Sequence, residues 1–232
     1  MTYKQKKADS RYLNVNINGN KKLVNNDNTR FIIWNLPAVK TCPYATEHCK
    51  AACYALKAER LYPDCRFSRE TNLKRSKQEN FVSNMIYTIE TELETPKFKN
   101  KQVIFRIHES GDFYDLEYTK KWIEIVKHFE NRKNLVFMAY TKSIAYFVAL
   151  EYGYHTFPKN IIVRSSLWDD TNLNNLKLTF NYNIPVYTAL TGERMENAKN
   201  SGLNFVECRC DDCATCGKCW NKDNKNIIVK IH

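Results

Sequence analysis

Short apolar runs alternate along the chain with segments whose apolar residues recur at helical spacing. The apolar runs predict strands at 31–34, 103–107, 135–138, 161–163, 185–187 and 227–231. The intervening patterns predict helices at 54–60, 66–93, 115–130 and 143–151. Apolar strands separated by helices are typical of a parallel sheet with helical crossovers. The chain is therefore predicted to be an α/β protein of about five to six parallel strands, either a partial (β/α) barrel or an open doubly wound sheet.

Length and composition divide the chain into three segments without indicating a second large domain. The 232 residues suit one large domain. Residues 1–30 are polar and rich in asparagine, and we expect them to form a loosely packed N-terminal arm. Residues 31–205 hold most of the predicted strands and helices. Residues 206–232 form a cysteine-rich C-terminal segment that ends in the last predicted strand.

Polar residues follow several predicted strands at the points where the strands end. They include the cysteine loop 42–53 and the polar residues of 106–112, 140–142 and 164–166. The carboxyl ends of parallel strands meet at one edge of a sheet, and α/β enzymes build their sites there. The sequence therefore predicts an active site at this edge.

The cysteine count and the N-terminal sequence indicate the compartment. The first residues lack the apolar stretch of a signal peptide, and no apolar run is long enough to span a bilayer. We therefore expect a cytoplasmic protein without a membrane partner. Thiols stay reduced in the cytoplasm, so nine cysteines indicate metal ligands or catalytic thiols rather than disulfides. The net charge of +11 makes a nucleic acid or another polyanion a candidate partner.

The first cysteine group comprises Cys42, Cys49 and Cys53, on the predicted loop that leaves the first strand and enters a helix. Three thiolates this close along the chain can converge on one metal centre and leave one coordination position open. A catalytic cluster needs such an open position. A structural zinc knuckle, the alternative, would close its coordination shell.

A second cysteine group lies near the C-terminus. Its members are Cys208, Cys210, Cys213, Cys216 and Cys219. The repeated Cys-x2-Cys spacing suits an auxiliary iron–sulfur cluster and equally a closed tetrahedral zinc site. The sequence thus predicts a metal site here and leaves the metal open.

Five short motifs stand at or near the predicted strand ends and the C-terminus. They are Asn-Leu-Pro-Ala at 35–38, Cys-Pro…Cys…Cys-Tyr-Ala at 42–55, Ser-Gly-Asp-Phe-Tyr at 110–114, Tyr-Thr-Lys-Ser at 140–143 and Cys-Gly-x-Cys-Trp at 216–220. Their combination resembles the phage- and bacteria-encoded gene-product-eighty-eight family, and more broadly the radical S-adenosylmethionine (radical SAM) superfamily. The cysteine spacing here is x6 and x3, where the superfamily usually has x3 and x2.

The resemblance to the radical SAM superfamily implies a partial (β/α) barrel, a [4Fe–4S] cluster and S-adenosylmethionine (SAM). Cys42, Cys49 and Cys53 would hold the cluster, and Gly111 with Asp112 would hold the SAM amino group. An electron from a donor such as a flavodoxin or ferredoxin would cleave SAM to methionine and a 5′-deoxyadenosyl radical. That radical would abstract hydrogen from the substrate.

Further residues are candidates for contacts with SAM or substrate. They are Tyr54, His108, Glu109, Lys142, Arg164, Ser165 and Ser166. An ordinary strand-end hydrogen-bond pair is the alternative for His108 and Glu109, and a solvated loop lysine is the alternative for Lys142. For the second cysteine group, the resemblance implies three core ligands and a fourth from either of two residues: Cys213, Cys216 and Cys219, with Cys208 or Cys210.

Two functions of different class follow from these patterns. The first is a radical SAM enzyme acting on an unknown substrate, for which a nucleotide, a nucleic acid and a peptide are candidates. The second is a non-enzymatic zinc or iron–sulfur protein that binds nucleic acid. The open position of the first cysteine group and the polar strand ends favour the enzyme.

Overall fold

The structure, a computed structural model, describes residues 3–152, 156–190, 192–209, 211–221 and 226–230. Its strands are β1 (Thr29–Trp34), β2 (Gln102–Ile107), β3 (Leu135–Thr141), β4 (Ile161–Leu167), β5 (Val186–Leu190), β6 (Phe205–Glu207) and β7 (Asn226–Lys230). Its helices are α1 (Tyr3–Ala8), α2 (Glu47–Ala51), α3 (Tyr54–Leu61), α4 (Pro63–Ser76), α5 (Phe81–Leu93), α6 (Leu116–His128), α7 (Ile144–Ala149), α8 (Leu173–Asn181), α9 (Gly192–Lys199) and α10 (Cys213–Cys216).

The strands of the described residues pair in parallel within one seven-stranded sheet, in the order β1-β2-β3-β4-β5-β7-β6. The first five strands therefore lie side by side in chain order. Trp34 of β1 pairs with Ile107 of β2, and Thr141 of β3 pairs with Ser165 of β4. This arrangement confirms the prediction of an α/β protein with a parallel sheet, and it brings the carboxyl ends of neighbouring strands to one edge.

The two faces of the sheet are covered by different parts of the chain. On the helix-side face, Ile32 and Phe105 join a core with buried residues of helices α4 to α7. Successive strand residues point to opposite faces, so Phe31 and Ile104 lie on the other face. There they pack with Ala214 of α10, and we call this the cysteine-side face. Helices thus cover one face, and the C-terminal cysteine segment covers part of the other.

The helical pattern at 66–93 forms two helices rather than one. α4 ends at Ser76 and α5 begins at Phe81, because the polar run 77–80 stays exposed between two helices whose apolar sides are buried. The prediction omits β6, which has only three residues, and the helices α8 and α9. Within the described part of the chain, no helix combines the length and apolar composition needed to cross a membrane.

The N-terminal arm packs on the domain more closely than its polar composition predicts. Leu13 is 1% exposed and joins the helix-side core, while Leu23 packs on the cysteine-side face. Asn16 forms an antiparallel bridge with Ile33 of β1. The few apolar residues of the arm therefore anchor it, because each meets an apolar surface of the sheet.

Candidate functional site

Hydrogen bonds join the segment after β1 to the segment after β2. The Asn35 side-chain oxygen accepts from the backbone N–H groups of Glu109 and Ser110, each at 2.9 Å. The Ser110 hydroxyl donates to the Leu36 carbonyl at 2.9 Å, and the Leu36 N–H donates to the Ser110 carbonyl at 3.0 Å. Asn35 is buried, so these bonds lie in the interior. The Asn-Leu-Pro-Ala and Ser-Gly-Asp-Phe motifs are therefore one hydrogen-bonded unit.

Gly111 stands where this unit leaves no room for a side chain. Its φ of 83° lies in the left-handed region that favours glycine. A Cβ atom at this position would lie 2.6 Å from Thr41 Oγ1 and 2.7 Å from Leu36 Cβ. The glycine backbone thus lies directly against the beginning of the cysteine loop.

Asp112 connects the end of β2 to the end of β3. Its Oδ1 accepts from the Thr141 hydroxyl at 2.5 Å and from the Phe113 N–H at 2.8 Å, and its Oδ2 accepts from the Lys142 N–H at 2.9 Å. Burial raises the pKa of Asp112, and these hydrogen bonds oppose that effect. A carboxylate offers about four lone-pair sites, so three protein donors leave room for one more donor, such as an amino group.

Lys142 continues the connection from β3 to β4. Its side chain is largely buried, and its Nζ donates to the Ser166 hydroxyl at 3.0 Å. The same ammonium lies 5.8 Å from the centre of the Trp168 ring. Four strand ends, those of β1 to β4, are thereby linked by side-chain and backbone bonds along one edge.

Two short helices fix the cysteine loop at this edge. Thr46 caps α2 by accepting from the Cys49 N–H at 3.2 Å. Cys53 caps α3, and its sulfur accepts from the Leu56 N–H at 3.4 Å. The next residue, Tyr54, donates from its hydroxyl to the Glu109 carbonyl at 2.7 Å and so ties α3 to the end of β2.

Cys42 lies within electrostatic range of the glycine–acid turn. Burial, together with the charges of Asp112 and Cys49, raises the pKa of the Cys42 thiol to about 12, and the charge of Lys142 opposes this rise. These mutual effects indicate that the four groups share one neighbourhood. The cysteine loop and the Gly111–Asp112 turn, separate in sequence, are adjacent in the fold.

A further contact attaches the cysteine loop to the segment after β4. His48 Nδ1 lies 2.7 Å from Asp169 Oδ1, and the His48 N–H donates to Asp170 Oδ2 at 2.9 Å. Arg194 of α9 also pairs with Asp169. The exposed His48 side chain has a raised pKa because Asp169 bonds to it. The loop is thus held from two sides, by β2 and by β4.

Two of the predicted site residues lie on the helix side of the sheet. His108 is 2% exposed, its Nε2 lies 2.9 Å from the Tyr118 hydroxyl, and its ring contacts Phe113 edge-on. The Ser165 hydroxyl hydrogen-bonds Thr179 of α8 at 2.7 Å. Both side chains therefore have partners within the helix-side core, and the structure does not bring them to the cysteine loop.

Arg164 holds the C-terminal cysteine segment on the sheet. It is 1% exposed, and it donates from Nε to the Cys219 carbonyl at 3.0 Å and from Nη2 to the Lys218 carbonyl at 3.3 Å. Trp220 meets Phe31 edge-on, with ring centres 5.5 Å apart. Arg164 therefore positions the second cysteine group on the cysteine-side face.

All eight described cysteines are free thiols, and Cys210 lies outside the described residues. Burial, together with the charges of Cys219, Cys208 and Cys216, raises the pKa of the Cys213 thiol to about 12. These four thiols therefore share one neighbourhood. Nevertheless, no three of the described cysteine sulfurs all lie within 4.8 Å of one another.

The spacing of the sulfurs bears on the metal that each group can hold. Zn–S bonds of about 2.3 Å place the sulfurs of a tetrahedral zinc site about 3.8 Å apart. No three of the described sulfurs are this close. In a [4Fe–4S] cluster each thiolate binds a different iron, so the sulfurs stand farther apart than around a single ion. The thiolate donors suit either metal, but no three of the described sulfurs are placed as in a preformed tetrahedral zinc site.

Arg106 lies between the two cysteine groups, and the sequence interpretation does not single it out. Its guanidinium lies 3.7 Å above the Tyr140 ring, which stacks on Tyr187 with ring centres 4.2 Å apart. Its Nε donates to the His108 carbonyl, next to the Glu109 carbonyl that accepts from Tyr54 of the first cysteine loop. Burial raises the pKa of Cys219, in the second group, and the charge of Arg106 opposes this rise. An arginine within an otherwise apolar strand was the signal for this residue.

Together, fold and site define a parallel α/β protein with helices on one face of its sheet and two groups of free cysteines. The chain belongs to the Gene product 88 family, whose model matches residues 6–222. It is 24% identical to the Gene 88 protein of Mycobacterium phage D29 over 193 residues, which cover 78% of each chain. No solved structure matches the chain. The matched range includes both cysteine groups and all five motifs, so the predicted family is confirmed.

Proposed function

We propose that this protein is an iron–sulfur enzyme of the radical SAM type. Cys42, Cys49 and Cys53 would hold a [4Fe–4S] cluster with one open position, and Gly111 with Asp112 would hold the amino group of SAM. When bound and reduced, the cluster would supply the electron that cleaves SAM to methionine and a 5′-deoxyadenosyl radical. The radical would then modify a substrate, with a nucleotide, a nucleic acid and a peptide as the candidate classes.

The contact between the glycine–acid turn and the cysteine loop supports this proposal most directly. Gly111 lies against Thr41, one residue before Cys42, and Asp112 keeps acceptor capacity after its three protein donors. A ligand that spans an iron cluster and a carboxylate would find both within one neighbourhood. A structural zinc knuckle needs neither a buried carboxylate nor a buried lysine beside it.

The distribution of helices supports a partial (β/α) barrel as the finer description of the fold. The strands β1 to β5 follow chain order, and the helices α4 to α7 share one core on one face. The C-terminal segment would then lie on the inside of the barrel. Its cysteines would hold an auxiliary iron–sulfur cluster or a zinc ion.

The proposed enzyme needs an electron donor and a reducing compartment. The protein would work in the cytoplasm and receive its electron from a flavodoxin or a ferredoxin, and its net charge of +11 would attract an acidic donor of this kind. The residues proposed to contact SAM or substrate at the strand ends are Tyr54, Glu109, Lys142 and Ser166. The net charge also supports the second candidate, a metal-containing nucleic-acid-binding protein without catalytic activity.

Metal analysis with matched cysteine variants tests the proposal. Anaerobically purified protein should hold iron and sulfide, about four of each per [4Fe–4S] cluster. Cys49→Ser should remove one cluster, whereas Cys65→Ser, which changes a thiol in α4 outside both groups, should keep full occupancy. Reduced wild-type protein should convert SAM to 5′-deoxyadenosine, and Cys49→Ser should abolish this. Asp112→Ala should weaken SAM binding and leave the iron content unchanged.

The same measurements separate the two candidate functions. Stoichiometric zinc without iron, together with tight binding of nucleic acid, would contradict the enzyme and support the binding protein. Iron loss in Cys65→Ser as large as in Cys49→Ser would show that the loss reflects general damage rather than the removal of a ligand.

A further inference from the structure

Arg106 is a buried cation at the centre of the cysteine-side face. It is 8% exposed, and it pairs in register with Ile33 of β1 and Met138 of β3, both apolar. Its Nε donates to the His108 carbonyl at 3.2 Å, and its guanidinium plane lies on the ring of Tyr140. One edge of the guanidinium and one face are therefore occupied.

The two terminal nitrogens of Arg106 have no comparable partner. Among the described residues, neither Nη atom donates a hydrogen bond, and no carboxylate lies within 4.0 Å of the guanidinium. The neighbouring acid, Glu109, accepts instead from the Asn20 N–H at 2.9 Å. By contrast, the buried Arg69 pairs with Glu59 at 2.9 Å. Arg106 thus lacks the kind of acidic partner that the buried Arg69 has.

A buried guanidinium without a carboxylate is unfavourable, because it has left water without gaining a counter-charge. Stacking on an aromatic ring offsets only part of this cost. The free end of Arg106 offers paired N–H donors in the geometry that matches carboxylate and phosphate oxygens. Tyr140 and the Tyr187 ring stacked on it are only partly buried, so an anion can approach from solvent.

We propose that Arg106 is the anchor of an oxyanion-binding site, which takes a phosphate or carboxylate group of a ligand lying between the two cysteine groups. Tyr187 stacks on Tyr140, the ring beneath the guanidinium, so aromatic side chains border the site. The anion site depends on the protein residues alone. That its occupant is the substrate, and not SAM, rests on the proposed function.

Thermal unfolding in the presence of simple anions tests the site. Inorganic phosphate should raise the midpoint of wild-type unfolding above that in sodium chloride of equal ionic strength, because a ligand that binds the folded state stabilises it. Arg106→Gln should weaken phosphate binding at least about ten-fold, the loss expected for charge-assisted hydrogen bonds. Arg30→Gln is the matched control, since Arg30 lies on neighbouring β1 and donates to the Lys97 carbonyl. It should bind phosphate as the wild type does.

A direct measurement on the wild-type protein covers the case in which Arg106→Gln does not fold. Crystals soaked in selenate should show an anomalous peak within hydrogen-bond distance of the Arg106 Nη atoms. Absence of a peak there, or equal phosphate stabilisation in wild type and Arg106→Gln, would overturn the proposal. SAM that displaces phosphate would identify the SAM carboxylate as the occupant, whereas SAM that binds together with phosphate would identify a second ligand. Phosphate binding at Arg106 does not need iron. A failed metal analysis would therefore contradict the proposed function without contradicting the anion site.

Discussion

The buried His108 makes the stability of the fold depend on pH in a way that can be calculated. Its imidazole lies among aromatic rings, with Nε2 on the Tyr118 hydroxyl, and its Nδ1 has no hydrogen-bond partner among the described residues. A protonated imidazole needs partners for two N–H groups and hydration for its charge. Burial therefore lowers the pKa of His108 to about 3.

The magnitude follows from the difference between the folded and unfolded states. In the unfolded chain the histidine takes up its proton near its ordinary pKa of 6.5, whereas in the folded protein it does so near 3. The free energy of unfolding is therefore unaffected above pH 6.5 and falls as the pH drops below it, by about 1.4 kcal/mol per pH unit. At pH 5 the loss due to His108 is about 2 kcal/mol.

Urea unfolding of wild type and His108→Asn between pH 8 and pH 5 measures this term. Asparagine suits the position, because it has no titrating group and tolerates the φ of 63° found there. All other groups titrate equally in both proteins, so the wild type should lose about 2 kcal/mol more than the variant on going to pH 5. Equal pH dependence of the two proteins would refute the reasoning.

Two further predictions concern the glycine–acid turn and the second cysteine group. Gly111→Ala should destabilise the fold by about 2 to 4 kcal/mol in urea unfolding, because it adds a clash with Thr41 to the strain of positive φ, whereas Gly202→Ala, at φ 78° with nothing within 4 Å of its Cβ, should cost only about 1 kcal/mol. Similar losses in both variants would mean that the close approach at Gly111 is unimportant. The double variant Cys216→Ser, Cys219→Ser should lose one metal centre, keep the other, and become more sensitive to protease around residues 205–225. Loss of all the metal would instead show that both groups share one centre.

Apolar periodicity predicted the central strands because these strands are continuous buried runs. The predicted runs at 31–34, 103–107 and 135–138 lie within β1, β2 and β3. Periodicity failed for β6 and for the packing of the N-terminal arm. Three residues are too few to show a period, and the isolated Leu13 and Leu23 gain their burial from tertiary contacts that no local pattern records.

The sequence predicted which residues lie at the carboxyl-end edge of the sheet, but not the hydrogen bonds that join them. The sequence indicated Gly111 and Asp112, yet only the fold shows that Asn35 holds the turn and that Asp112 holds the next strand end. Strand alternation alone would place residues 106 and 108 on the same face of the sheet. His108 departs from this pattern because it lies just beyond the end of β2 and has a positive φ. The positive φ of His108 turns its ring toward the helix-side core, whereas Arg106 lies on the cysteine-side face.

The division of the sheet into two faces also constrains the second cysteine group. Phe31, Ile104 and Met138 are buried on the cysteine-side face, and residues of the C-terminal segment, Ala214 and Trp220, pack on them. Detachment of that segment would expose these side chains to water. The free-energy cost is about 25 cal/mol for each Å² of apolar surface exposed. A metal bound by cysteines that share this segment converts its binding free energy into folding free energy. A metal held by the second cysteine group would therefore stabilise the packing of this segment on the cysteine-side face, and Arg164 ties the same segment to β4.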